Sequence, residues 1–298
     1  MTDQHQSQVQ IRPMAPADVP AASLVSHVSM YEAGQLYGWQ MEQTRTPQQV
    51  ERAEARVAHL LSTDPAGAFV AARDDTVIGL ALASRRGGLW FLSMLMVSPA
   101  EQAKGIGRQL LDATLAYAEG CRGAYLMGSQ DPKALRRYGR AGFALHPGHE
   151  ATGTLDRALL PTVTGVRPGD YADDRDLVDD AMRFVRGEPL GPDLSYLERR
   201  GSPLWVHEGP GGRGFAIGRE SGVGILAATT PRAATALLWT ALAEAPAPQV
   251  TVESLTAAQQ WAVEVVLAAR LPLSFGPDLC LRGDIGVLSP YLPSGAFG

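Results

Sequence analysis

Two glycines stand where an apolar segment gives way to a helical pattern. Residues 92–97 are typical of a buried strand, and the polar turn after them contains Gly105 and Gly107. A helix is predicted from this turn to about Glu119. Glycine lets the main chain approach a ligand without a Cβ in the way, and a helix N-terminus offers free N–H groups and a positive dipole end. This combination indicates an anion site suited to a phosphate or pyrophosphate.

The spacing around the glycines narrows the kind of phosphate site. A nucleotide-hydrolysing phosphate loop needs Lys-Ser or Lys-Thr after its last glycine, and Gly107 is not followed by either. A dinucleotide fingerprint needs a third glycine where Leu110 stands. What remains is Gln102-x-x-Gly105-x-Gly107 after a strand that ends Val97-Ser98-Pro99. An ordinary strand, turn and helix is the alternative, but glycines that open a helix cost stability and so favour a function.

This motif resembles the acetyl-CoA-binding motif of the GCN5-related N-acetyltransferases, the GNAT family. Over about residues 8–158 the predicted elements follow the order of that family: strand, two helices, three strands, helix, strand, helix, strand. A second motif, Asp131-x-x-Ala134-x-x-x-Tyr138-x-x-x-Gly142-Phe143, extends the resemblance. Family members commonly carry Asn where Asp131 stands, so the chain departs from the pattern at this residue.

The resemblance implies acetyl-CoA as the donor and a set of residues that hold it. Strand backbone would pair with the pantetheine arm, and the amides of the turn would hold the pyrophosphate. The implied cofactor-binding residues are Leu95, Met96, Val97, Gln102, Lys104, Gly105, Ile106, Gly107, Arg108 and Asp131. Tyr138 falls where many members place the tyrosine that protonates the departing thiolate, which makes it the expected catalytic residue. A half-buried structural tyrosine is the alternative.

The general base and the acceptor site are less clearly marked. Many family members carry a carboxylate on the central strand, but residues 90–95 contain none. His27, Glu32 and His146 are remote candidates, or water could relay the proton, so no base is assigned. The aromatic residues Tyr31, Tyr37 and Trp39 would form either a wall of the acceptor pocket or a hydrophobic cap.

The second half of the chain repeats the first more faintly. Residues 163–168 echo residues 9–13, and the same order of elements follows. Where the first copy has residues 102–107, the second reads Thr229-Thr230-Pro231-Arg232-Ala233-Ala234, without the glycine pair and with a proline that lacks an N–H. We expect an α/β fold of two tandem GNAT-like domains, each a mixed, mostly antiparallel sheet flanked by helices. Residues 1–160 would be the acetyltransferase domain, and residues 161–298 a degenerate copy that binds no CoA. The segment 291–298 would pack near the first-domain pocket or lie on the surface.

Composition sets the class of protein. The 298 residues are 45% hydrophobic and 19% charged, which suits globular domains, and a net charge of −5 argues against nucleic acid as a partner. No apolar run is long enough to span a membrane, and the start lacks an apolar signal segment, so we expect a cytoplasmic protein. Cys121 and Cys280 have no metal-ligand spacing, so no metal is expected.

The expected function is transfer of an acetyl group from acetyl-CoA to a primary amine of a small-molecule or peptide acceptor, by a monomer or homodimer. Because the central strand lacks a carboxylate, a non-catalytic acyl-CoA sensor or interaction protein is the alternative. Acyl transfer to oxygen or sulfur on the same fold is a third possibility, since fold does not fix function.

Overall fold

A computed structural model describes residues 8–38 and 41–298. The chain forms two compact units. Unit 1 contains the chain up to Arg85 together with Trp90–Cys121, and unit 2 contains Arg86–Leu89 and Arg122–Gly298. Within the described part of the chain, no helix is long and apolar enough to cross a membrane.

Unit 1 is a sheet with three helices. Its strands are β1 (Val9–Pro13), β2 (Ala68–Arg73), β3 (Thr76–Arg86) and β4 (Leu89–Val97), in the spatial order β1-β2-β3-β4. Strand β2 pairs antiparallel with both β1 and β3. The helices are α1 (Val19–Tyr37), α2 (Pro47–Thr63) and α3 (Ile106–Ala116). Ile106 and Leu110 of α3 pack with Ala71, Ile78 and Ala81 of the sheet, which fixes the start of α3 against β2 and β3.

The ends of the first two helices follow local chemistry. Thr46 Oγ1 accepts a hydrogen bond from Gln49 N at 3.2 Å, and Gln49 Oε1 accepts one from Thr46 N at 2.8 Å. This reciprocal cap fixes the start of α2. Helix α1 runs to Tyr37 and ends at Gly38, whose φ is 81°. Tyr31 and Tyr37 therefore lie on α1, whereas Trp39 lies outside the described residues.

Unit 2 contains the remaining elements. Its strands are β5 (Gly123–Gly128), β6 (Ala144–His146), β7 (His149–Thr154), β8 (Val166–Pro168), β9 (Leu204–Gly209), β10 (Gly212–Arg219), β11 (Gly222–Ala228), β12 (Gln249–Leu255), β13 (Leu273–Phe275), β14 (Asp278–Gly283) and β15 (Tyr291–Leu292). Its helices are α4 (Pro132–Arg140), α5 (Arg175–Arg186), α6 (Pro192–Arg199), α7 (Pro231–Ala243) and α8 (Gln260–Ala268). The strand orders within the unit are β5-β14-β6, β12-β7-β13 and β15-β11-β10-β9-β8. Helices with mostly antiparallel sheets confirm the predicted α/β class.

The late strands of the two halves are exchanged within unit 2. Strand β14 lies between β5 and β6, with Cys280 opposite both Leu126 and Leu145. Strand β7 lies between β12 and β13, with Ala151 opposite both Val252 and Leu273. Because of this exchange, the end of the first half and the whole second half form one compact unit. The compact units therefore divide the chain elsewhere than at residue 160, and the domain boundary at that residue stays a prediction.

Each half begins with the same ion pair. Arg12 contacts Asp18 through two hydrogen bonds of 2.7 and 2.8 Å, and Asp18 Oδ2 also accepts one from Ala15 N. Arg167 contacts Asp174 in the same way at 2.9 and 2.6 Å, and Asp174 Oδ2 accepts one from Asp170 N. In both pairs the arginine holds the pKa of the aspartate below its ordinary value. The faint echo in sequence is thus a repeat of contacts at the junction of first strand and first helix.

Candidate active site

The turn between β4 and α3 has an open helix N-terminus. Gly105 precedes α3 with a φ of 84°, and no side chain caps the first turn of the helix. The carbonyl of Gly105 accepts hydrogen bonds from the N–H groups of Arg108 and Gln109, at 3.1 and 3.2 Å. A Cβ on Gly105 would have no neighbour within 4 Å, so the left-handed conformation, rather than lack of space, requires glycine. The first amides of α3 can therefore face an anion.

Gln102 fastens the turn to the strand. Its Nε2 donates to Val97 O at 3.1 Å, and Ser29 Oγ on α1 donates to the same carbonyl at 3.0 Å. Both lone pairs of Val97 O are then engaged by side chains. In this arrangement Gln102 positions the turn, and a ligand strand along β4 would use the other backbone groups of residues 95–97.

Ion pairs with Glu101 and Asp112 surround the turn. Glu101 accepts two hydrogen bonds from Arg73, at 2.6 and 2.7 Å, and lies 3.3 Å from Lys104 Nζ. The bonds from Arg73, followed by the contact with Lys104, hold the pKa of Glu101 below its ordinary value. Two cations thus meet one carboxylate. Arg108 is 81% exposed and lies 3.5 Å from Asp112, so its side chain can reorient toward a ligand.

A pocket of about 120 Å³ lies against β4 in unit 1. It is lined by Met94 of β4 and by residues of α1, α2 and the segment between them, among them His27, Met30, Arg45 and Arg56. Of the three predicted base candidates, only His27 lines it. Its Nε2 lies 2.9 Å from Gln43 O, and because a carbonyl only accepts, Nε2 carries the proton and Nδ1 is the basic nitrogen of the neutral ring.

Arg45 and Arg56 were not predicted from the sequence. Neither belongs to a spacing pattern, and the only signal is their position just before α2 and on α2. Tyr31 and Tyr37, predicted as a possible aromatic wall, do not line this pocket. The apolar part of its lining comes from methionines, Ala53 and Val57.

Asp131 and Tyr138 belong to unit 2. Asp131 caps α4, with its Oδ1 accepting from Lys133 N at 2.9 Å. Tyr138 is 6% exposed, and its ring meets that of Phe143 edge-on at 6.5 Å. Burial raises the pKa of Tyr138 to about 12, so the phenol keeps its proton at neutral pH. The roles of both residues toward the ligand of the turn stay predictions.

The equivalent turn in the second half is closed by its own side chain. Thr230 precedes α7, its Oγ1 accepts from Ala233 N at 3.2 Å, and Pro231 has no N–H to offer. Counted from the cap, Arg232 occupies the helix position that Gly107 has in α3. The N-terminus of α7 therefore has neither the open amides nor the glycines found at the N-terminus of α3.

The segment after residue 290 covers the neighbouring strand of the second half. Tyr291 and Leu292 form β15, which pairs with Ala227 and Leu226 at the end of β11. Tyr291, Leu292 and Phe297 are buried, and Phe297 O accepts a hydrogen bond from the buried Arg186. The expectation of a surface tail is therefore wrong. In the repeat, the end of β11 corresponds to residues 95–97 of β4, so an internal strand lies where a ligand strand would pair.

The described residues contain no group of three or more His, Cys, Asp or Glu side chains that could hold a metal ion.

Part of the chain matches a known protein family. The model of the acetyltransferase (GNAT) family matches residues 33–143, a range that includes the open turn, Asp131 and Tyr138. A search of the curated proteins gave no match.

Similar folds occur among solved structures. A protein from Pyrococcus horikoshii described as a putative acetyltransferase is 17% identical, with a TM-score of 0.79, over 100% of this chain and 98% of its own. A GCN5-related N-acetyltransferase from Kribbella flavida is 16% identical, with a TM-score of 0.60, over 95% of this chain and 72% of its own. A GCN5-related N-acetyltransferase from Sphaerobacter thermophilus is 15% identical, with a TM-score of 0.57, over 93% of this chain and 96% of its own. These likenesses show the fold over nearly the whole chain. The family match therefore assigns residues 33–143 to the GNAT acetyltransferases, a family of acyltransferases.

Proposed function

We propose that the protein is an N-acetyltransferase that moves an acetyl group from acetyl-CoA to a primary amine of a small-molecule or peptide acceptor. The observation that carries the proposal is the uncapped N-terminus of α3 behind the left-handed Gly105. The family match over this turn supports acetyl-CoA as the anionic ligand. In this proposal residues 1–160 do the chemistry, and residues 161–298 bind no CoA.

The turn and strand would hold the donor. Amides of residues 104–107 would bind the pyrophosphate, with the side chains of Lys104 and Arg108 adding positive charge. Backbone groups of residues 95–97 would pair with the pantetheine arm as with an added strand. Since a thioester is already activated, holding donor and amine together supplies much of the rate enhancement, on the order of several kcal/mol.

Two proton transfers complete the reaction. The amine nitrogen attacks the thioester carbonyl, the C–S bond breaks, and the departing thiolate takes the proton of the Tyr138 hydroxyl. The new amide nitrogen loses its extra proton to solvent, and solvent returns a proton to the Tyr138 phenolate. An ammonium acceptor must first lose a proton. His27 lines the pocket on β4 and offers Nδ1 as a base, whereas Glu32 and His146 do not line it.

The proposal also covers the partners, the location and the oligomeric state of the protein. A net charge of −5 suits a partner set without nucleic acid. We place the protein in the cytoplasm, as a monomer or homodimer.

Release of free thiol from acetyl-CoA, measured across a panel of amines, tests the proposal. The wild type should release thiol with at least one amine, and Gly107→Glu should not, because a carboxylate would repel the pyrophosphate. Arg232→Glu, at the equivalent position of the second half, should behave as the wild type. Binding of acetyl-CoA without turnover on any amine would instead favour the acyl-CoA-binding module.

A further inference from the structure

The pocket on β4 is cationic. Arg45 lies just before α2, Arg56 lies on α2, and both line the pocket together with His27. Among the described residues, none that lines the pocket is acidic. A pocket built only for the ammonium group of a substrate would be expected to offer a carboxylate or carbonyl oxygens, since an ammonium group only donates hydrogen bonds. Two guanidinium groups instead favour an anion.

Arg45 is held in place by its neighbours. Its NH1 donates to Ser23 Oγ at 2.8 Å and more weakly to Ser23 O at 3.4 Å, so the side chain is anchored to α1 from within the pocket. A guanidinium has five N–H groups, and these two bonds come from one nitrogen. The planar group is thus preorganised, with donors left to bind a carboxylate or phosphate.

The rest of the lining limits the size and polarity of the ligand. Met30, Met41 and Met94 supply flexible apolar surface beside the cations. A volume of about 120 Å³ suits a small charged group with a short carbon chain. Met94 directly precedes residues 95–97, the segment proposed to pair with the donor, so the pocket and the donor segment share one strand.

We infer that the acceptor is an amine that also carries an anionic group, a carboxylate or a phosphate, and that Arg45 and Arg56 bind this group. The inference rests on the proposed acetyl transfer. It narrows the acceptor to molecules such as amino acids or aminoalkyl phosphates, and excludes simple polyamines as the preferred substrates.

Matched acceptors test the inference. Thiol release is measured with α-amino acids, with the carboxamide and the decarboxylated amine of each, and with aminoalkyl phosphates. The anionic acceptors should be preferred over their neutral counterparts by about 10- to 100-fold in kcat/KM, the range expected for a hydrogen bond to a charged group. The amino acid and phosphate arms show which anion the pocket takes.

Variants connect that preference to the pocket. Arg45→Gln and Arg56→Gln should remove the preference by lowering kcat/KM for the anionic acceptors, mainly through KM, and should leave the neutral amines within about threefold. Arg52→Gln removes an exposed guanidinium from α2 outside the pocket lining and should change neither class. Equal use of neutral and anionic amines by the wild type would overturn the inference, as would equal losses for both classes in Arg45→Gln.

A binding measurement separates this inference from the proposed function. Amino acids and aminoalkyl phosphates are titrated by NMR into the protein, alone and with CoA, which cannot transfer an acetyl group. Binding that Arg45→Gln abolishes, without turnover of any amine, would support the anion pocket and reject the transferase. Turnover of neutral amines without binding of any anion would reject the pocket and keep the transferase.

Discussion

Tyr138 keeps its proton over the whole range in which the protein would work. Its ring is buried, and burial raises the pKa of its hydroxyl to about 12. The phenol is therefore neutral below that pH and can donate a proton to a thiolate. Activity between pH 6 and 10 should not fall through ionisation of this residue.

Replacing Tyr138 tests its proposed role as general acid. Tyr138→Phe removes only the hydroxyl and keeps the edge-on contact with Phe143. We expect kcat to fall by about 100-fold, the lower range for general acid catalysis, with the affinity for acetyl-CoA retained. Steady-state rates and a binding titration measure the two quantities. An unchanged kcat would remove Tyr138 from the mechanism.

A buried ion pair in unit 2 makes a prediction about stability. Arg86 Nε and NH2 each lie 2.7 Å from a carboxylate oxygen of Asp193, which is fully buried. Asp193→Ala leaves the arginine charge buried, and should lower the free energy of unfolding by about 3–5 kcal/mol. Denaturant unfolding measures the change.

The control for this prediction is an exposed pair. Glu208 lies 3.2 Å from Arg213, and the side chains are 53% and 47% exposed. Glu208→Ala should cost about 0–1 kcal/mol. An equal loss in the free energy of unfolding for the two variants would contradict the claim that burial makes the Arg86–Asp193 pair more important to stability.

Single residues were predictable where spacing marks them. The glycines at 105 and 107 follow from a motif, and the structure gives Gly105 the left-handed conformation that only glycine adopts easily. Arg45 and Arg56 could not be predicted as pocket residues, because no local pattern indicates that they line the same pocket as Met94. Gln102 was predicted as a ligand residue, and its bond to Val97 O adds a positioning role that spacing alone does not reveal.

At the scale of elements, the turn before α3 depends on one backbone conformation. Gly105→Ala introduces no clash, but forces an L-residue into left-handed φ, at a cost of about 1–2 kcal/mol. We expect unfolding at lower denaturant concentration and weaker binding of acetyl-CoA, because the first amides of α3 lose their alignment. Unfolding and titration curves measure both effects.

Gly139→Ala is the matched control. Gly139 lies inside α4, and its added Cβ would also meet nothing within 4 Å. In a helix this substitution should stabilise the protein by up to about 1 kcal/mol. A change of stability in the same direction for both substitutions would contradict the role of the left-handed conformation at Gly105.

Elements were predictable where their signals are local. Over residues 8–158 the elements up to β6 follow the predicted order, since caps and periodicity are properties of short segments. Strands β13 and β15 were not predicted, because they are three and two residues long and exist through their pairing partners. The exchange of β7 and β14 was equally hidden, since alternation along a strand shows which face is buried and not which strand lies beside it.

In the molecule as a whole, the two halves of the chain repeat one arrangement of elements but differ at the turn after the central strand. Both copies begin with the same Arg–Asp pair. The first copy has an open helix N-terminus after its central strand, whereas the second has a side-chain cap and an added strand at the equivalent places. The sequence comparison of residues 102–107 with residues 229–234 predicted the lost motif. The added strand could not be foreseen, because β15 lies more than 60 residues after β11 in the chain.

Calorimetric titration of the purified protein with acetyl-CoA tests the proposed site at the turn before α3. We expect one equivalent to bind to the wild type and to Arg232→Glu, and none to a folded Gly107→Glu variant. Two equivalents would show that the second half binds CoA despite its capped helix. No binding to the wild type would contradict the proposed acetyl-CoA site itself.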